Sequence, residues 1–420
     1  MSLPEPLRES DFPEPNLDKA QLGQLLFYDN ILSGNRNISC GSCHHHDHAG
    51  SDGLSLGIGE GGSGVGLQRV GGIGAGKIRR RISRNAPSLW NLGAHEIKIL
   101  FHDGRLSRSD DYENGFNSPA EERLPEGLES LLAVQALFPL TSRKEMAGDP
   151  EENSVARAAF DRIDHVWPII TARIQQIDGY VQQFVSVFEH INSAGDITIA
   201  DIANSLAEFI ALEWRSLDSP MDDYLGGDEA ALTDAQLQGL SLFYGKANCS
   251  ACHSGPLFTD QSFHALGLPT FGPGRNRRYD PIPRDVGRMA ETDRREDAYR
   301  FRTPSLRNVA LTSPYGHNGA YRTLEGIVRH HLDPAESRKA WTPQQANLPD
   351  ISWLNKSDFI IQQDGREMQR YNLKLDIETV SLTDDEIGKL VTFLQALTGK
   401  SANQTPLGRP DSVPSGLPVD

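Results

Sequence analysis

Cys40-Gly41-Ser42-Cys43-His44 and Cys249-Ser250-Ala251-Cys252-His253 are two copies of one pattern, and together they hold all four cysteines of the chain. Cys-x-x-Cys by itself serves a disulfide, a redox dithiol or a zinc knuckle. A histidine following at once in both copies is the signature of covalent haem c, in which two thiols add to the haem vinyl groups and the adjacent imidazole is aimed at the iron. Two haems c are therefore expected, attached through Cys40 and Cys43 and through Cys249 and Cys252, with His44 and His253 as iron ligands. Such attachment takes place outside the cytoplasm, so the expected location is the periplasm, with the signal peptide absent from this chain.

Outward from the motifs, Gly23-Gln24-Leu25-Leu26-Phe27-Tyr28 precedes the first copy and Gly239-Leu240-Ser241-Leu242-Phe243-Tyr244 the second. This self-similarity predicts a duplicated cytochrome c unit. Thr233 is placed to cap a helix that carries Leu237, Leu240 and Phe243/Tyr244 on one face. Thr383 with Glu386 forms a capping box ahead of Ile387, Leu390, Val391, Leu394 and Leu397, the pattern of a terminal helix packing across the earlier one. A further helix is predicted from Thr198 to Ser216, with Ser219-Pro220 ending the first half. The expected class is mainly α: an N-terminal extension over 1–17, a cytochrome c-like domain with insertions over 18–225, a second over 226–400, one covalent haem c in each, and a flexible tail over 401–420, where four prolines occur.

Bulk properties exclude several classes. No stretch approaches the ~18 apolar residues a membrane span needs. The formal charge of −16 argues against nucleic acid and favours a basic patch on a partner protein. Gly57, Gly59 and Gly62 match GxGxxG, but the match trails a haem loop among other glycines with no strand ahead of it, so a nucleotide site is rejected.

Four further segments carry a resemblance: Leu32-Ser33-Gly34 to Ser39-Cys40, Arg84-Asn85-Ala86-Pro87-Ser88-Leu89, Phe101-His102-Asp103-Gly104-Arg105, and Thr303 to Gly319, which reads TPSLRNVALTSPYGHNG. With the haem motifs they resemble the bacterial di-haem cytochrome c peroxidase/MauG superfamily over roughly residues 20–400, with insertions between Arg105 and Pro139 and around 151–180. The resemblance implies hydrogen peroxide as oxidant, reacting at the haem held by His44. In resting peroxidases of this superfamily a histidine from the loop before Arg-Asn-x-Pro closes that iron. Here Gly57 to Arg84 contains no histidine, which implies an open iron, as in MauG-like members. Glu145 resembles the family's distal glutamate, with Pro139 six residues ahead, and would move a proton between the peroxide oxygens.

The resemblance also places His331 of Val328-Arg329-His330-His331 where methionine or tyrosine stands beyond the second iron; helical phase alone does not separate it from His330. A second imidazole favours higher oxidation states than a thioether does, which moves the reading toward MauG. There the two oxidising equivalents of one peroxide are shared between both irons as a high-valent di-haem intermediate, and a partner protein is oxidised. A calcium ion between the haems would be held by Asn85, Thr312 and Pro314.

Two departures bear on charge transfer. His102 stands where the family has a tryptophan relay between the haems, leaving Trp90 or direct haem proximity to replace it, and Ala247 stands where MauG has a surface tryptophan, leaving Tyr244 or Phe243 as replacements. His45, His46 and His48 are read as a polar loop at the haem edge rather than a metal site, Arg79-Arg80-Arg81 as propionate partners or solvated charge, and His317 as structural or catalytic near the second pocket. The rival functions are a plain di-haem cytochrome c peroxidase drawing electrons from a small redox protein, and a di-haem electron carrier without catalysis.

Overall fold

The computed structural model describes residues 3–72, 77–275 and 283–419; part of the glycine-rich run, 73–76, lies outside them. Its helices are α1 (Leu17–Tyr28), α2 (Leu131–Ala136), α3 (Ser154–Asp161), α4 (Val166–Gln175), α5 (Asp178–Val187), α6 (Ile199–Glu213) and α7 (Pro220–Leu225). The later ones are α8 (Asp234–Tyr244), α9 (Met289–Thr292), α10 (Leu324–Leu332), α11 (Pro334–Ala340), α12 (Asn355–Asp358), α13 (Gly365–Asn372) and α14 (Asp384–Gln395). Strands of two or three residues form three small antiparallel sheets.

The capping residues act as their chemistry dictates. Thr198, Thr233 and Thr383 each accept from the backbone N–H three residues on, while Asp201, Gln236 and Glu386 bond back to the cap. α6 stops at Glu213, short of the expected Ser216. Asn91 is the cause: its N–H takes the Trp214 carbonyl, and its side chain exchanges two hydrogen bonds with Ser216 at 2.8 and 3.0 Å.

The duplication is visible as two matching helix crossings. α1 packs on α6 and α8 on α14, and each crossing turns on a glycine. A Cβ on Gly23 would lie 1.9 Å from the Ser205 carbonyl oxygen, and one on Gly239 would lie 2.1 Å from that of Lys389. Close backbone approach is what a residue without Cβ allows. Beside each glycine an aromatic pair seals the crossing: Phe27 with Phe209 at 5.1 Å and Phe243 with Phe393 at 5.2 Å. Such pairs add about 0.5–1.5 kcal/mol beyond burial.

The core follows the same division. One large cluster gathers residues from Leu7 to Trp214, and a second is built from Met221, Phe243, Phe258, Phe393 and their neighbours. The stretch 401–419 departs from the expected loose tail. Ala402 and Val413 are buried in the first cluster. Gln24 Nε2 donates to the carbonyls of Leu407 and Gly408 at 2.9 Å, and Ser415 donates to Asp29 at 2.6 Å. Side chains of the first half, Gln24, Asp29 and Glu213, thus capture its carbonyls, its Ser415 hydroxyl and its amides.

Candidate haem sites and their surroundings

Both Cys-x-x-Cys-His motifs fold as tight turns at the end of a crossing helix. His44 N–H and His253 N–H return to the carbonyls of Cys40 and Cys249, so each imidazole is fixed beside its thiols. The four cysteines are free of one another. Cys252, Asp260 and His264 converge within 4.8 Å, the one metal-like cluster found among the described residues. It contains a motif cysteine and omits that cysteine's partner, so it does not form a zinc knuckle.

The two motif histidines are prepared alike. Nδ1 of His44 lies 2.8 Å from the Gly50 carbonyl, and Nδ1 of His253 lies 3.0 Å from that of Phe258. A donated Nδ1–H leaves Nε2 as the free lone pair, the tautomer a metal requires. Burial holds both imidazoles neutral, His253 with its pKa down at about 4 and His44 below its ordinary value.

The histidine pair on α10 is resolved by its contacts. His330 is saturated: Nδ1 lies 3.0 Å from the Tyr321 hydroxyl and Nε2 2.8 Å from the Leu266 carbonyl. His331 spends only Nδ1, on the Ile327 carbonyl at 2.8 Å, and its ring faces that of His253 with centroids 6.5 Å apart. Two imidazoles bound to one metal at ~2 Å each have centroids about that far apart. The residues of the second half therefore fit a haem iron between them.

Around the first motif, Glu145 stands in a π-helical turn over Arg143–Ala147, a local form common at functional sites. The glycine-rich run is draped over it. A Cβ on Gly59 would lie 2.0 Å from the Lys144 carbonyl, and Glu60 N–H donates to the Glu145 carbonyl at 2.9 Å. Close packing, not phosphate binding, accounts for that part of the GxGxxG match. Burial pushes the Glu145 carboxyl above the usual range, while Arg105, Ser142, Arg275 and Lys144 pull it back. Gly34 N–H donates to the Met146 carbonyl at 2.7 Å, which ties the Glu145 turn to the segment that leads into the first motif. Pro139 opens the short turn Pro139–Thr141 that precedes it.

His102 is half-buried and kept neutral, its pKa near 4 because of desolvation and the Arg84 charge, with Nε2 3.1 Å from the Asn85 carbonyl. Asn85 N–H donates to the His317 carbonyl at 2.9 Å, and its Nδ2 takes the Leu54 carbonyl at 2.6 Å, leaving Oδ1 for another partner. Among the described residues no hydrogen bond ends on the carbonyls of Thr312 or Pro314. Asn85 is thus tied to the 312–319 loop that carries them. His317 stacks flat on Phe301, centroids 3.5 Å apart, and is likewise neutral.

Some residues have roles the sequence left open. Arg81 is fully buried, bonded to Asp358 at 2.9 Å and to the Pro349 carbonyl at 2.8 Å. It clamps the 349–358 segment, whereas Arg79 is exposed beside Asp149. Arg307 bonds Asp222 at 2.5 Å and the Pro256 carbonyl, so TPSLRN holds the loop behind His253. His46 is more than a polar loop residue: Tyr28 and Glu213 bracket it. No spacing signal joins residues 28, 46 and 213.

Comparison with known proteins gives the family and the fold. The family described as di-haem cytochrome c peroxidase matches residues 17–230. Methylamine utilization protein MauG of Methylophilus methylotrophus is 29% identical over 84% of this chain and 85% of its own. Cytochrome c peroxidase Ccp of Escherichia coli strain K12 is 31% identical over 74% of this chain and 52% of its own. A solved MauG-like protein associated with microbial copper homeostasis superposes with a TM-score of 0.62 at 28% identity, covering 97% of both chains. The chain belongs to the di-haem cytochrome c peroxidase/MauG family, with a di-haem cytochrome c-type fold and an oxidoreductase function of the peroxidase type. The family implies two haems c and hydrogen peroxide, with a partner or electron donor. Among the described residues no helix is long and apolar enough to cross a membrane.

Proposed function

We propose that this is a MauG-like enzyme of two cytochrome c-like domains, one haem c in each, that uses hydrogen peroxide to oxidise a partner protein in the periplasm. The observation that carries the reading is the half-buried Glu145, its carboxyl pKa raised by desolvation, in a turn tied to the segment leading into the first motif, together with a stretch, Gly57 to Arg84, that offers no histidine to close the iron. When bound, the haems supply iron that receives peroxide and holds its oxidising equivalents. Cys40 and Cys43 attach one haem and Cys249 and Cys252 the other. With Nδ1 of each engaged by a backbone carbonyl, His44 would hold the first iron through Nε2, and His253 and His331 would hold the second through theirs.

Glu145 accepts the proton of the peroxide oxygen that binds and returns it to the oxygen that departs. Pro139 sets the turn from which Glu145 projects, and the glycine-rich loop over that turn excludes water. His102, neutral and hydrogen-bonded to the Asn85 carbonyl, stands in the family's relay position as a positioning group. Asn85 Oδ1 with the Thr312 and Pro314 carbonyls offers the oxygen donors a calcium ion takes. The formal charge of −16 favours a partner with a basic face.

Peroxide added to the fully oxidised holoenzyme tests the reading. A long-lived species holding two oxidising equivalents is expected. A reaction that appears only after half-reduction would make the protein a plain peroxidase fed by a small electron-transfer protein, and no reaction in either state would make it an electron carrier.

A further inference from the structure

Behind the first haem motif lies a buried chain of side chains that the proposed peroxide chemistry does not use. The Tyr28 hydroxyl is hydrogen-bonded to His46 Nδ1. His46 Nε2 lies 2.7 Å from Glu213 Oε1. Glu213 is fully buried, and its only ion-pair partner among the described residues is His46. Its oxygens also accept from Leu407 N–H at 2.9 Å and Gly408 N–H at 2.8 Å, so the packed C-terminal stretch covers the carboxylate end of the chain. These hydrogen bonds hold the carboxylate in place as the acceptor at the end of the chain.

The same groups form a ring stack against the attachment loop. His46 stacks on Tyr28 at 5.7 Å and on Trp214 at 5.3 Å. A Cβ on Gly41, between the two motif cysteines, would lie 2.3 Å from the Tyr28 ring. A Cβ on Gly50, whose carbonyl holds His44 Nδ1, would lie 2.6 Å from Trp214 Nε1. Both oxidisable rings therefore border the peptide that fixes the first haem.

Proton chemistry separates the two rings. Trp214 Nε1 is buried without an acceptor among the described residues, so an oxidised indole there has nowhere to leave its proton. Tyr28 has both an acceptor and a second acceptor behind it. We propose that Tyr28 is a redox-active tyrosine of the first haem, with His46 and Glu213 as its proton relay. It gives one electron to the peroxide-oxidised haem held by His44; its phenolic proton passes to His46 Nδ1 while the His46 Nε2 proton passes to Glu213. The products are a neutral tyrosyl radical, a neutral imidazole and a protonated carboxyl, and one of the two oxidising equivalents of peroxide now resides on protein. The proposal rests on the peroxide reading above.

The test is EPR of the oxidised holoenzyme frozen after peroxide addition, with haem absorption followed in parallel. A tyrosyl signal is expected, narrowed when the protein is grown on ring-deuterated tyrosine and, in D2O, coupled to a deuteron shared with His46 in ENDOR spectra. Tyr28→Phe should abolish the signal while haem content is retained. Glu213→Gln, which keeps the shape but removes the final proton acceptor, should lower its yield. A haem spectrum untouched by peroxide would overturn the peroxide reading and remove the oxidant here. A haem that reacts without any tyrosyl signal, a signal surviving Tyr28→Phe, or a tryptophanyl signal would overturn the relay alone. Should Tyr28→Phe not assemble, a wild-type radical lacking the exchangeable deuteron, or a yield unchanged in Glu213→Gln, would overturn it equally.

Discussion

At the scale of single residues, two side chains carry the account. Burial raises the Glu145 carboxyl, so it is protonated, and idle as a proton acceptor, over a wider acidic range than an ordinary glutamate at ~4.3. The rate constant for reaction with peroxide is expected to fall as pH drops through that raised value. Glu145→Gln should lower the rate roughly 10²–10⁴-fold and flatten the acid limb, both measured by stopped-flow absorption; an unchanged rate would remove Glu145 from the chemistry. On α10 the two neighbouring histidines should separate. His331→Ala is expected to abolish the low-spin signature of a bis-imidazole haem. His330→Ala should keep it and cost about 1–3 kcal/mol of stability, the penalty for stranding the Leu266 carbonyl, while the Tyr321 hydroxyl retains Ser337 at 2.7 Å. The opposite pattern in the absorption spectra would reassign the ligand.

These residues differ in how legible they were. The motif histidines are announced by covalent spacing, and Glu145 and His331 by their place along the chain relative to family segments. Helical phase could not choose between positions 330 and 331, because adjacent residues on a helix differ by direction and not by face type; hydrogen-bond saturation of His330 favours His331. Tyr28, His46 and Glu213 were invisible as a group because sequence separations of 18 and 167 residues carry no pattern.

At the scale of elements, the duplicated Gly-x-x-x-Phe-Tyr segments foretold the two crossings, since glycine at the contact and aromatic rings one turn later are what close packing requires. The cost of filling that contact can be measured. Gly239→Ala pushes a Cβ against the Lys389 carbonyl and should destabilise by about 1–3 kcal/mol. Gly388→Ala, in the partner helix and with nothing within 4 Å, should be neutral or stabilising by up to about 1 kcal/mol. Thermal melting of the two holo variants makes the comparison, and equal melting temperatures would contradict the crossing. The end of α6 escaped sequence reading because Asn91, far away in the chain, terminates it.

At the scale of the whole molecule, charge joins the halves. Asp103 is completely buried and shared by Arg84 at 2.7 Å, Arg105 at 3.1 Å and Arg275, while Arg84 also grips Asp285 at 2.7 and 2.8 Å. The guanidinium groups hold the Asp103 carboxyl far below the usual range. Two family segments of the first half, those of Arg84 and of Asp103, thus meet Arg275 and Asp285 of the second half in one network, and the C-terminal stretch, foreseen as loose from its prolines, closes the back of the first haem motif. Composition could not reveal that closure, because it depends on buried acceptors at Glu213 and Asp29 supplied by helices far earlier in the chain.

The molecule as a whole is asymmetric in one respect: the His253 ring of the second motif faces the His331 imidazole, whereas the Gly57 to Arg84 stretch of the first half contains no histidine. EPR of the fully oxidised holoprotein measures this directly. The account predicts one high-spin ferric signal from the haem of His44 and one low-spin signal from the haem between His253 and His331. Two low-spin signals, unchanged on adding peroxide, would contradict it.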